Sequence, residues 1–211
     1  MNNTKTNDFQ EILTGRRSIR YYDPSVKISR EEMKEILESA ALAPSSVNLQ
    51  PWRFLVIDTP EGKETLAPLA RFNQSQVETS AAVIAVFADM NSNDYLDEIY
   101  ETAVQKGFMP EDVKNQQVKS IKGFFEVMTT DQLKEMNLID AGLVSMQLML
   151  VARAHGYDTN PIGGFEKNKI AEAFGMDKNR YYPVMLISIG KAANKGYQSV
   201  RMPIDQITEW R

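Results

Sequence analysis

Two stretches of this chain are apolar almost without a break: AAVIAVFAD at 81–89 and YYPVMLISIG at 181–190. A strand wet on one face alternates apolar and polar residues, because successive side chains point to opposite sides. A strand apolar at nearly every position needs cover on both faces. The two runs therefore predict inner strands of one sheet with helices packed against it, an α+β fold.

The rest of the sequence supplies that cover. Asn7 or Asp8 caps a short first helix with Phe9, Ile12 and Leu13 at helical spacing and Gly15 as its stop. RSIRYYD (17–23) reads as extended chain. Ser29 opens a second helix with Glu32 three residues on, a capping-box spacing, and Met33, Ile36, Leu37, Ala40 and Ala41 form its apolar face up to Pro44. WRFLVID (52–58) reads as a strand, and Thr59-Pro60 starts another helix. Residues 92–128 read as two polar-faced helices broken near Gly107 and Pro110. From Asp131 to His155 a long helix carries Leu143, Met146, Leu150 and Ala154 and is apolar on most faces, which predicts burial in the fold or in an oligomer interface. PIGGF (161–165) reads as a tight turn before a short helix to about Phe174. The extended C-terminal tail is irregular but holds apolar anchors, Ile204, Ile207 and Trp210. No repeat or linker appears, so the reading is a single domain over residues 1–211 with three or four strands, mixed or antiparallel, and more helix than sheet.

Composition narrows the chemistry. The 211 residues include no cysteine and one histidine, which removes disulfides, thiolate chemistry and multi-histidine metal sites, so no metal is expected. That histidine, His155, ends a helical pattern, where a cation is favoured for its own sake. No G-x-S-x-G elbow, P-loop or G-x-G-x-x-G after a strand is present. An enzyme with these side chains relies on a bound organic cofactor. A net charge of -4 argues against a nucleic-acid partner. No run of about 18 apolar residues offers a membrane span, and the polar start MNNTKTNDFQ is no signal peptide, which predicts a cytoplasmic address.

Against that acidic background TGRRSIRYYDPS (14–25) concentrates positive charge. In extended chain Arg16, Ser18 and Arg20 point one way, Arg17 and Ile19 the other. Two guanidinium forks flanking a hydroxyl suit a phosphate or another oxygen-rich edge; a solvated surface patch is the competing reading. APSSVNLQPW (43–52) sets two serines, an asparagine and a glutamine between prolines. It fits the polar rim of a planar heterocycle, or a helix-to-strand connection with Asx-turns.

In their order, RRSIRYYD (16–23), APSSVNLQPWRFLVI (43–57), FNQSQV (72–77), PIGGF (161–165) and SVRMP (199–203) resemble the nitroreductase family of FMN-dependent oxidoreductases over nearly the whole chain. The resemblance implies a nitroreductase-like fold and a homodimer with the long buried helix at its interface. Each of two FMN molecules would lie between both chains. NADH or NADPH would supply a hydride, and an electron-poor small molecule (a nitroaromatic, a quinone or an azo compound) would accept electrons in a ping-pong scheme. Arg16, Arg17, Ser18 and Arg20 become the N-terminal cofactor-binding segment, with Arg16 and Arg201 on the phosphate and Arg20 near the pyrimidine edge. Pro44, Ser45, Ser46 and Asn48 match the loop lent by the second subunit. Asn73 matches an amide contact to the ring's polar edge, with Gln76 beside it. Pro161, Ile162, Gly163 and Gly164 match the turn against the ring, a backbone amide of Gly163 or Gly164 facing N5. No side chain is implied as the catalytic acid or base.

Two positions depart from relatives: Gln76 stands where some carry lysine, and Gly163 where the enterobacterial branch carries glutamate. Redox potential and substrate range therefore do not transfer from that branch. A reductive dehalogenase, an oxygen-using relative that breaks down its own flavin, and a non-catalytic flavin-binding protein stay open as alternatives. Tyr100, Phe124 and Phe125 either roof the site or pack in their own core.

Overall fold

A computed structural model describes residues 5–211; the first four residues of the polar start lie outside the described residues. In chain order, α1 is Phe9–Gly15, α2 Arg30–Ala40, β1 Trp52–Ile57, α3 Pro60–Leu66, α4 Gln74–Thr79 and β2 Ala82–Asp89. There follow α5 at Leu96–Gln105, α6 at Glu111–Val127, α7 at Thr130–Ala154, β3 at Asp158–Ile162, α8 at Lys167–Ala173 and β4 at Tyr181–Gly190. The strands form an antiparallel sheet in the order β1-β2-β4-β3, so the two apolar runs are its inner pair.

The double cover is visible residue by residue in β2. Ala82, Ile84 and Val86 pack with Met33 and Ile36 of α2 and with Ala141, Val144 and Leu148 of α7. Val83, Ala85 and Phe87 enter the opposite layer with Leu66, Val77 and Ile170. Each fully buried large side chain here contributes about 1.5–3 kcal/mol relative to exposure. Pro183 lies inside β4, where a missing N–H breaks the ladder. The register shifts there: Val86 faces Met185 but Phe87 faces Pro183, and Val184 is left over as the bulge residue.

Three expectations need correction. Pro161 and Ile162 belong to β3, paired with Ile187 and Leu186, so the turn starts only at Gly163. The short polar stretch DTNPI carries no strand signal of its own; β4 supplies the partner that makes it one. Next, Ser29 accepts from the Glu32 amide at 3.1 Å, but Glu32 does not close a capping box. Its carboxylate instead accepts from Tyr157 Oη at 2.7 Å and pairs with Lys5 at 3.2 Å. The reciprocal box forms at Thr129 and Gln132, where α7 begins. Finally, α7 is long and apolar enough by length and composition to cross a membrane, contrary to the sequence reading. Its Ala141, Val144, Leu148 and Ala152 are fully buried against the sheet, which makes it the central core helix.

Candidate functional site

The arginine segment is extended, as its alternation predicts. Ser18 forms a parallel bridge with Thr159 of β3, and Ile19, 2 % exposed, donates its amide to the Thr159 carbonyl at 3.2 Å. With Ile19 turned inward, Arg16, Ser18 and Arg20 face a cleft of about 560 Å³. Gln198, Ser199 and Arg201 of the tail line the same cleft, so residues far apart in sequence meet there. Among the described residues, neither Arg16, Arg20 nor Arg201 forms an ion pair with a carboxylate. The Arg16 guanidinium is held below its ordinary value, first by burial and then by Arg17 and Arg201. Like charges gathered without a counter-charge make a site for an anion.

Arg17 plays a different part. Its Nη1 donates to the carbonyls of Thr14 and Arg16 at 2.6 and 2.7 Å, and its Nη2 to Gln198 Oε1 at 3.4 Å. It closes the end of α1 and ties it to the tail, which fits the preference for cations at helix C-termini.

β3 links the cleft to the turn that follows. Gly163 and Gly164 are exposed, and a Cβ at either would meet no atom within 4 Å, so the backbone is open to a flat ligand. Asn73, which precedes α4, directs Nδ2 to the Gly164 carbonyl at 3.5 Å and accepts from Gln76 Nε2 at 3.1 Å. Gln76 is buried, so this amide pair forms a fixed polar edge beside the open turn.

The loop of Pro44, Ser45, Ser46 and Asn48 is held elsewhere in the chain. No hydrogen bond joins it to the arginine segment or to the turn among the described residues; its ties run to α7 and α5. Ser46 donates its amide and its hydroxyl to Asp140, and Tyr100 Oη donates to the Val47 carbonyl at 3.4 Å. Ser45 Oγ accepts from the Gln50 amide at 3.0 Å. Tyr100 packs with Leu49, Leu96 and Ile121, and Phe125 lies against that cluster, whereas Phe124 is exposed. Sequence reasoning missed Asp140. Its signal was a lone aspartate inside the apolar run LIDAGLV (138–144).

The whole chain from α1 to the end of β4 fits one protein class. Residues 13–191 match the family model described as the nitroreductase family, and the chain belongs to that family. It is 69 % identical over 207 residues to YdgI of Bacillus subtilis, a provisionally named NAD(P)H nitroreductase, covering 98 % of this chain and 99 % of that protein. A crystal structure of a provisionally assigned nitroreductase from Exiguobacterium sibiricum in complex with FMN superposes with a TM-score of 0.97 at 67 % identity, over 99 % of each chain. The enone reductase of CLA biosynthesis from Lactiplantibacillus plantarum is 38 % identical, over 94 % of this chain and 92 % of that enzyme.

Proposed function

We propose that this protein is an NAD(P)H-dependent oxidoreductase that binds FMN in a site completed by a second copy of the chain. The observation that carries the reading is the convergence of Arg16, Arg20 and Arg201, paired with no carboxylate among the described residues, on one cleft whose Ser18 bridges β3, the strand that leads into the open Gly163–Gly164 backbone. A phosphate dianion answers the first feature and a flat ring the second. The FMN complex of the Exiguobacterium relative supports the same cofactor here. When bound, FMN supplies the chemistry, taking a hydride from NADH or NADPH and passing electrons to an electron-poor acceptor.

The protein's own residues bind and orient. Arg16 and Arg201 hold the phosphate. Arg20 places positive charge at the pyrimidine edge, where charge builds up on reduction. Asn73, with Gln76 behind it, hydrogen-bonds the polar edge of the ring, and the backbone from Pro161 and Ile162 to Gly163 and Gly164 lines its reactive side. Arg17 fixes the segment through α1 more than it contacts the ligand. Ser18 lines the phosphate cleft.

Pro44, Ser45, Ser46 and Asn48 reach the cofactor of the opposite subunit. Two exposed apolar surfaces support that arrangement. On α7, Ile139, Leu143 and Met146 point outward, and in the tail Val200, Ile204, Ile207 and Trp210 are exposed. A second copy buries both. The acceptor is a small planar molecule such as a nitroaromatic or a quinone. A second reading, reduction of an α,β-unsaturated ketone, is favoured by the likeness to the Lactiplantibacillus enzyme. Oxidation of NADH and NADPH followed with a nitroaromatic, menadione and a simple enone, each against free FMN, tests the function. Turnover no faster than free FMN with every acceptor would reduce the protein to a flavin binder.

A further inference from the structure

Among the described residues, every non-glycine residue with positive φ lies in the loop after α2: Val47 at 45°, Asn48 at 57° and Gln50 at 48°. The left-handed region is unfavourable for residues with a Cβ, most of all for a β-branched one such as Val47. Such a backbone persists only where its surroundings hold it. At its far end Arg53 Nη1 donates to the Gln50 carbonyl at 3.0 Å, and Arg53 is itself paired at 3.0 Å with the fully buried Asp89. At its near end the holder is Asp140. The Ser46 amide lies 3.1 Å from both Oδ1 and Oδ2, and Ser46 Oγ donates to Oδ1 at 3.1 Å.

Asp140 is unusual for its place. It is 2 % exposed, it sits between Ile139 and Ala141 on α7, and no cation pairs with it among the described residues. Burial pushes its carboxyl above the ordinary carboxylate range, and the Ser46 amide and hydroxyl offset this only in part. A group whose folded value is raised favours the fold when protonated and detracts from it once pH rises through that value. The buried site thus tolerates the ionised form less well than the protonated one, and what the carboxyl contributes is its hold on Ser46.

We propose that Asp140 is a positioning residue for the flavin site, clamping Ser46 so that the left-handed Val47–Gln50 turn presents the loop to the cofactor of the opposite subunit. The inference rests on the assignment of this loop to FMN.

The test compares FMN titrations of the apo dimer for wild type, Asp140→Asn and Val144→Ala, with the Tm of each apoprotein measured alongside. Val144 is fully buried on the same helix one turn away and touches no part of the loop's hydrogen bonding. Asp140→Asn should weaken FMN binding about tenfold, because the loop it holds is no longer preorganised for the cofactor, while its Tm falls far less than that of Val144→Ala. Val144→Ala should lower Tm and leave FMN affinity within about twofold. Wild-type affinity in Asp140→Asn overturns the inference, and so does a fall in its Tm like that of Val144→Ala. Failure of the wild-type protein itself to bind FMN overturns the functional reading together with it.

Discussion

The Ile19 amide donates to the Thr159 carbonyl oxygen at 3.2 Å, and this contact fixes which way three arginines face. With Ile19 buried, Arg16, Arg17 and Arg20 all border the cleft, but the Arg17 guanidinium is spent on the carbonyls of Thr14 and Arg16. Because Thr159 lies on β3 four residues before Gly163, where the strand has ended, the bond also ties the arginine segment to the strand that leads into the open turn.

The first prediction follows from that geometry. Arg16→Ala and Arg201→Ala each remove a charged donor worth about 1.5–3 kcal/mol, which corresponds to a roughly ten- to hundredfold loss of FMN affinity. Arg17→Ala, whose guanidinium is occupied by the carbonyls of Thr14 and Arg16, should affect FMN less and Tm more. Fluorescence titration with FMN and thermal melts of the three variants check the ordering.

The outward face of α7 leads to a second. Ile139 is 67 % exposed and Leu143 44 % in the single chain. If each flavin site is shared between two copies, as proposed, placing glutamate at both positions should split the dimer and strip the flavin at once. Sedimentation and the protein-bound flavin absorbance read the two effects. Flavin kept on a monomer would contradict the shared site.

A third concerns acid stability. Burial acts to raise the Glu32 carboxyl, but hydrogen bonds from Tyr157, Lys5 and His155 outweigh it and leave Glu32 below its ordinary value. The same contact, after burial, pushes Tyr157 up to about 12. A lowered carboxylate stabilises the fold above its unfolded value and loses that contribution as pH falls through the folded one. Glu32→Gln should therefore lower Tm by a few degrees near neutrality. The gap from wild type should close below the ordinary carboxylate range, at about pH 4 and under.

A fourth prediction is kinetic. If donor and acceptor use the same place above the ring in turn, double-reciprocal plots at several fixed acceptor concentrations are parallel. Lines that converge would mean that both bind together.

Much of this fold was legible because its strongest signals are local. The unbroken β2 and β4 runs declared two-sided cover, and the alternation in RSIR placed Ile19 inward, although Arg17 borders the cleft along with Arg16 and Arg20. β3 was not legible, since Asp158–Ile162 is polar and becomes a strand only through its ladder with β4. The Ser29–Glu32 capping box failed for a similar reason: Tyr157, more than a hundred residues away, takes the Glu32 carboxylate at 2.7 Å. Asp140 was hidden by its neighbours. In a helix apolar on most faces its role depends on Ser46, which only the tertiary fold brings to it. The motif resemblance pointed to candidate flavin segments, while the tie of Arg17 to the end of α1 required the structure.

The most direct test of the central claim is the flavin content of the purified protein. Its visible spectrum and the identity of the released cofactor are the readouts. A yellow dimer that releases FMN at one molecule per chain is the expected result. A colourless protein that stays colourless after incubation with FMN and elutes as a single chain would contradict it.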